Sequence, residues 1–406
     1  MFKFRNIPEP WRQVISYSAV AVGSAILTAV LLIIFGTSTV VNYSGKGNYS
    51  QGLAKLEKIY GIIQEQYIGE TNEDTMVDAA AQALVLSTGD RWSYYMNAEE
   101  YAAYLQTIAN ADAGIGVTIN SDQMDKGLLV ESMDQDGGAA AAGVQVGDWI
   151  THVEGQAISG MTLSDARSKI RGQSGTTVKV TVDRNGTKLD FTITRGVFAV
   201  AKGQLLDGNI GLITIVNFNE KASDETIKLI EELKNKGATA LIFDVRGNPG
   251  GSSMELSKTL DYILPKDCIL FQSVSYDGEK QVIRSDERYM DIPIAVLIDE
   301  NSYSAAELFA ATLVEYNKAF TVGQHTTGKG RYQVNIPLED GSAVHLSIGK
   351  YTTPLGVDLG AVGGIAPTHA VELTKDQATK LSSGTLDPED DPQVQKAVEE
   401  LLKKGN

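Results

Sequence analysis

Two residues of this 406-residue chain have the chemistry for attack on a carbonyl. Ser304 lies in Asn301-Ser-Tyr-Ser-Ala-Ala-Glu307, and Lys329 follows 25 positions later (329 − 304) in Thr327-Gly-Lys-Gly-Arg-Tyr-Gln333. A serine hydroxyl becomes a nucleophile only when a base removes its proton. The four histidines, His152, His325, His345 and His369, are scattered along the chain, which leaves the lysine for that role. A lysine is a base only when neutral, so it must be buried in surroundings that lower its pKa. Gly328 and Gly330 on either side of it permit close backbone packing, and Gln333 offers an amide oxygen that can orient the amine without adding charge.

Other chemistries fit less well. Gly323-Gln-His-Thr-Thr-Gly-Lys329 follows a phosphate-binding loop up to its last position, but Gly330 replaces the hydroxyl that would hold magnesium, and the sequence after it alternates like a strand. Ser304 is followed three residues later by Glu307, which breaks the S-x-x-K arrangement. The histidines lack the spacing of a zinc site, and no metal or other cofactor is expected. Cys268, the single cysteine, can form no internal disulfide and reads as a packed core residue. A formal net charge of −16 argues against a nucleic-acid partner, which demands a basic face.

The pattern around the pair is that of alternating strands and helices, an α/β architecture. Ile210–Val216 and Ala240–Val245 read as strands, with a helix over Asp224–Lys236 between them. The tight turn Arg246-Gly-Asn-Pro-Gly-Gly251 leads into a helix over Ser252–Leu264. Ile292–Ile298 is a further strand, and the polar turn after it delivers Ser304 to the start of a helix over Ala305–Tyr316. A helix N-terminus presents unpaired N–H groups that suit a developing oxyanion. Ala305, with the Gly250-Gly251 turn, is therefore a candidate oxyanion-hole donor. A strand over Ala319–Gly323, the lysine loop and a hairpin turning at Asp340-Gly341 complete this part.

Upstream, short strands and glycine turns from Gly114 to about Arg195 describe a small β domain with a hairpin turn at Asn185-Gly186 and one helix near Leu163–Ile170, for which Thr162 is the N-cap. Before it, Leu53, Leu56, Ile59, Tyr60 and Ile63 recur at helical spacing, and Met76–Leu86 forms a second helical run. The stretch to about Thr107 is expected to pack on the rest, to contribute to a homodimer, and to carry no chemistry. Gln13 to Gly45 holds no charged residue and is nearly apolar over Ala19–Phe35, long enough for a membrane span. Lys3, Arg5 and Arg12 before it leave the N-terminus in the cytoplasm and the bulk of the chain outside. The apolar stretch exceeds the usual core of a cleaved signal peptide, and no clear cleavage site follows.

The run Asp244-Val-Arg-Gly-Asn-Pro-Gly-Gly251, then Asn301-Ser-Tyr-Ser-Ala-Ala-Glu307, then Gly328-Lys-Gly-Arg-Tyr-Gln333, in this order, resembles the carboxyl-terminal processing peptidases, or tail-specific proteases. The resemblance covers nearly the whole chain from about Leu53 to Leu402. It implies Ser304 as nucleophile, Lys329 as general base, Gln333 as the residue that positions the lysine, and a catalytic domain with the fold of the Clp-protease and crotonase superfamily. Tyr303 and Ala306 depart from the common S-A-S-A-S-E pattern, and Gly364-Ile-Ala-Pro-Thr-His369 has Thr368 where Asp is common. The small β domain resembles a bacterial PDZ domain through Gly143-Val-Gln-Val-Gly-Asp-Trp-Ile150. Gly114, Ile115, Gly116 and Val117 match the loop that receives a terminal carboxylate. Arg171 is expected either to contact peptide, to couple the domains, or to be an ordinary solvated arginine.

These readings divide the chain into a cytoplasmic N-terminus (1–12), a transmembrane anchor (13–41), a linker and helical region (42–107), an inserted PDZ domain (110–196) and a peptidase core (197–406) with a C-terminal helix. They describe a cell-membrane serine endopeptidase, its catalytic part extracytoplasmic, acting on proteins or peptides with free C-termini. The alternative is a non-catalytic PDZ adaptor that captures protein tails at the membrane.

Overall fold

The computed structural model describes residues 50–404 apart from 110–112, 121–122, 135–136, 162, 173, 197–198, 287–288 and 383. The expected membrane span and the Thr162 cap lie outside the described residues. Among those described, no helix is long and apolar enough to cross a membrane.

The frame of the catalytic part is a six-stranded sheet. Ile210–Ile215, Ala240–Asp244, Ile294–Ile298 and Ala319–Gly323 run parallel, His369–Ala370 extends one edge, and Ala201–Leu206 closes the other antiparallel. Its central strands are apolar without interruption because both faces are covered. Alternate side chains nevertheless go to different cores. Leu241, Phe243, Val296 and Ile298 join Ile230, Leu256, Leu260 and Phe309 of the helices Ala222–Asn235, Ser253–Ile263 and Ala305–Glu315. Ala240, Ile242, Ala295 and Leu297 face Val394, Ala397 and Leu401 of the C-terminal helix Pro392–Lys404.

A second, five-stranded antiparallel sheet carries the lysine loop. Arg331–Pro337 pairs with Ala343–Thr352, which also pairs with Ile269–Ser275 and, at its other end, with Tyr94–Met96. Tyr94 stands opposite His345 in this ladder, so a strand from the N-terminal region belongs to the catalytic sheet. The PDZ sheet is therefore an insertion in the chain between two parts of one body. It runs Val117–Asn120, Leu128–Met133, Trp149–Val153, Thr177–Arg184 and Thr187–Thr194, with its own core around Ile150, Val180 and Ile193. The hairpin at Asn185-Gly186 has both residues at positive φ, 53° and 85°, as a two-residue turn demands.

One buried ion pair fastens the C-terminal helix to the catalytic frame. Arg246 donates to Asp244 at 2.6 Å and to Asp391 at 2.8 Å, with its side chain and that of Asp391 each 3% exposed. It also donates to Gln393 at 2.8 Å. Asp391 precedes the terminal helix, so loss of its carboxylate strips a buried guanidinium of half its counter-charge. Asp391→Ala is expected to destabilise the catalytic core by about 3 kcal/mol, read as a lowered urea midpoint, with the PDZ transition unmoved.

Candidate active site

Ser304 stands where the Ile294–Ile298 strand has turned into the Ala305–Glu315 helix, at φ 62° and ψ −120°. A non-glycine residue rarely adopts this backbone, and such strain persists only where the surroundings hold it. Glu307 does much of the holding. It is fully buried. One of its oxygens accepts from the Ser304 N–H at 3.0 Å and the Lys329 N–H at 2.9 Å. The other accepts from the Gly328 N–H at 2.7 Å and the Thr326 hydroxyl at 2.6 Å. A single carboxylate thus ties the nucleophile's turn to the lysine loop. The glycines beside the lysine permit it: a Cβ on Gly328 would stand 2.5 Å from Gly363 C, and one on Gly330 2.6 Å from Gly360 N.

The lysine meets the burial that a neutral amine requires. Burial pulls Lys329 down from 10.5 to about 8, against Asp90 and Glu307, which raise it, and with help from Arg91. Its amine lies over the Trp92 ring, 4.6 Å from the centroid, and 5.9 Å from that of Tyr303. It makes no hydrogen bond to the Ser304 hydroxyl or to Gln333. The Gln333 amide nitrogen donates to Ser347 at 2.9 Å and to the Arg331 carbonyl at 3.2 Å, so the expected contact with the amine is not formed here. The Ser304 side chain instead neighbours the Tyr351 hydroxyl, which donates to the Lys329 carbonyl. Burial pushes the Tyr351 phenol well above its ordinary value, so it stays neutral.

The glycine turn lies against the nucleophile. A Cβ on Gly250 would stand 2.7 Å from Ser304 Cβ and 2.8 Å from Ala305 N. The Gly250 N–H donates to Asn248 Oδ1 at 2.8 Å, which removes it from the expected oxyanion donors. Gly251 and Ala305 keep N–H groups without a hydrogen-bond partner among the described residues. Gly250 serves by its missing side chain.

In the PDZ domain, Gly114, Ile115, Gly116 and Val117 line a groove of about 400 Å³ with Arg167, Ile170 and Arg171. Val117–Asn120 is an edge strand, open on that side to a further strand. The Gly114 N–H is taken by the Gly196 carbonyl at 3.2 Å, whereas those of Ile115 and Gly116 have no partner among the described residues. Arg171 touches the groove and also donates to Thr107 Oγ1 at 3.2 Å. Thr107 ends the Ala98–Ile108 helix, and its carbonyl accepts from Asn219 of the catalytic part at 3.4 Å.

Glu307, Tyr351, Trp92 and His345 were not legible as site residues. Glu307 stood inside the motif, and its position three after the serine was the available signal. His345 is pulled down to about 4 by burial and by Lys329, and its Nδ1 lies 2.7 Å from Asn335 Oδ1. It is a neutral neighbour of the lysine, not a partner of the serine. The region before Thr107, expected to carry no chemistry, brings Trp92 against the Lys329 amine. Thr368, in place of the expected Asp, exchanges hydrogen bonds with Thr321 at 2.8 and 3.1 Å, which holds the start of the His369–Ala370 strand against the middle of Ala319–Gly323. Cys268 is half-buried beside the main core.

The sequence matches peptidase family S41 over residues 209–371, the PDZ domain over 105–183 and the activating protease CtpB N-terminal domain over 37–100. It is 32% identical over 349 residues to the carboxy-terminal processing protease CtpA of Bacillus subtilis, covering 85% of this chain and 74% of that protein. It is 32% identical over 365 residues to a carboxy-terminal-processing protease of Bartonella bacilliformis, covering 86% and 81%. The solved photosystem II D1 C-terminal processing protease shares the fold, with a TM-score of 0.52 at 22% identity over 85% of this chain and 93% of that one. The chain belongs to the carboxy-terminal processing proteases of family S41, with a PDZ domain, and is a serine-type peptidase.

Two outcomes follow from the geometry. Glu307→Gln keeps the shape but turns one acceptor into a donor facing N–H groups; kcat should fall by about 100-fold or more with the fold retained, since small displacements of reacting groups cost that much. The second concerns pH. Burial lowers the pKa of Lys329, so if its neutral amine takes the serine proton, kcat/KM should rise with pH along an acid limb centred at about 8, not 10.5.

Proposed function

We propose that this protease is held at the cell membrane by its N-terminal segment, takes the free C-terminal tail of a protein into the PDZ groove, and cleaves with Ser304 and Lys329. The observation that carries the reading is Glu307, which accepts the backbone N–H groups of both residues through one buried oxygen. In the first step Ser304 Oγ bonds to the scissile carbonyl carbon while its proton passes to the neutral Lys329 amine. The oxyanion is received by the N–H groups of Ala305 and Gly251. Collapse breaks the C–N bond, and the ammonium returns the proton to the leaving amine. Water then attacks the ester, giving its proton to Lys329, and Ser304 is regenerated when that proton returns to its oxygen. For this the lysine stem must swing from Trp92 toward the serine. Gln333, whose amide oxygen has no hydrogen bond among the described residues, is placed to take the amine on that path.

The open edge of Val117–Asn120 and the N–H groups of Ile115 and Gly116, which have no partner among the described residues, favour a terminal carboxylate with its strand laid alongside. Leu53, Leu56 and Ile59 of the first helix are exposed, which supports association of two copies through that region. The uncharged Gln13–Gly45 segment supports anchoring with the catalytic part outside the cytoplasm.

The full-length chain incubated with unstructured proteins of differing C-termini should release fragments, identified by mass spectrometry. Ser304→Ala and Lys329→Ala should each abolish release yet bind tail peptides as the wild type does. Fragments released equally by wild type and Ser304→Ala would defeat the mechanism.

A further inference from the structure

The turn Asp90-Arg-Trp-Ser93 comes from the N-terminal region, yet it reaches the catalytic lysine. Its position is held on all sides. The Asp90 carboxylate accepts from Ser93 Oγ at 2.6 Å and from the Trp92 N–H at 3.3 Å. Ser93 Oγ accepts in turn from the Ser347 N–H at 3.0 Å, and Arg331 lies 3.6 Å from Asp90. The strand that follows is clamped to Ala343–Thr352 by three register pairs, Tyr94 with His345 first. Trp92 is consequently fixed against a sheet 250 residues downstream in order, and its ring meets two cations and one aromatic. Lys329 Nζ is 4.6 Å from its centroid, Arg91 Cζ 4.2 Å, and the Tyr303 ring 5.6 Å.

We propose that Trp92 is a positioning residue for Lys329: its indole face is the wall that keeps water from the amine and the surface on which the charged amine rests between turnovers. The face of an indole attracts a cation and has no such hold on a neutral amine. Deprotonation therefore frees the lysine to turn toward Ser304, and reprotonation returns it. The same wall favours deprotonation by excluding water. Asp90 and Arg91 from the turn, Glu307 from the nucleophile's helix and His345 from the neighbouring strand are the charged or titratable groups around the amine, with the neutral phenol of Tyr303 beside it. Asp90 and Glu307 favour the ammonium, Arg91 and a protonated His345 the amine, and burial outweighs the first two. Opening the amine to water removes the burial that lowers its pKa and leaves Asp90 and Glu307, which raise it, so loss of the wall is expected to shift the amine upward. Tyr303, where an alanine is common in the resembling motif, extends this wall from the other side.

The inference rests on Lys329 being the base, and the test separates the two. The full-length chain is assayed on an unstructured substrate from pH 6 to 10 as wild type, Trp92→Ala, Trp92→Phe and Lys329→Ala, with tail-peptide binding and thermal unfolding as controls of the fold. Trp92→Ala should move the acid limb of kcat/KM up by about one pH unit, which lowers the rate at pH 7 about tenfold and lets it recover above the limb. Trp92→Phe, which keeps an aromatic face, should hold the limb near its wild-type place, and it carries the test if the alanine variant does not fold. An unmoved limb in Trp92→Ala, a loss equal at every pH, or a limb displaced as far by phenylalanine as by alanine would overturn the role of Trp92 while an inactive Lys329→Ala left the base intact. Turnover by Lys329→Ala would remove both readings together.

Discussion

The site depends on one buried carboxylate. Glu307 has no exposed surface, and an unpaired charge there would be very costly. It is instead met by four donors, from Ser304, Thr326, Gly328 and Lys329. Two of these belong to the lysine that must be near the serine and to its adjoining glycine. Satisfying Glu307 and bringing the Ser304 and Lys329 backbones together are the same event. It also explains how Ser304 keeps a backbone conformation that L-residues avoid, because the N–H that the conformation exposes is the one the carboxylate accepts.

A second constraint holds the opposite wall. Asn248 takes the Gly250 N–H with its oxygen and donates to the Ile215 carbonyl at 2.7 Å, and Tyr303 N–H reaches the Asn248 carbonyl. The glycine turn is thereby locked against the nucleophile, with Arg246 next to it bound to the C-terminal segment. The parallel sheet underneath supplies the rigidity. Its strands end where the catalytic loops begin, so motifs far apart in sequence meet at one edge. The PDZ groove stands apart from this edge, joined to it through Arg171, Thr107 and Asn219.

Much of this was legible. The strand Ala240–Asp244 is apolar up to its last residue and Ile294–Ile298 throughout, and their helices carry clear starts, so the alternation declared itself. Ser304 at a strand-to-helix turn, the glycines around Lys329 and the Asn185-Gly186 hairpin all followed from local rules. The Ile269–Ser275 and Lys280–Arg284 strands did not declare themselves, because the hairpin is mostly half-buried or exposed and its pattern is mixed. Gln333 was expected to orient the Lys329 amine, but its amide partners are set by the register with Ser347, which no local pattern reveals.

The chain's own order of residues determined the element types, the candidate residues for acyl transfer and the presence of a PDZ domain. Those depend on short-range sterics, periodicity and functional-group chemistry, which are written locally. Only the tertiary structure decided that Lys329 is partly buried, with its pKa lowered, that Glu307 joins it to Ser304, that Gly250 contributes closeness rather than a donor, and that Trp92 from the N-terminal region lies on the lysine. Each of these is a matter of burial or of contact between segments distant in the chain. Dehydration of an amine is a property of everything packed around it, and no stretch of sequence contains that.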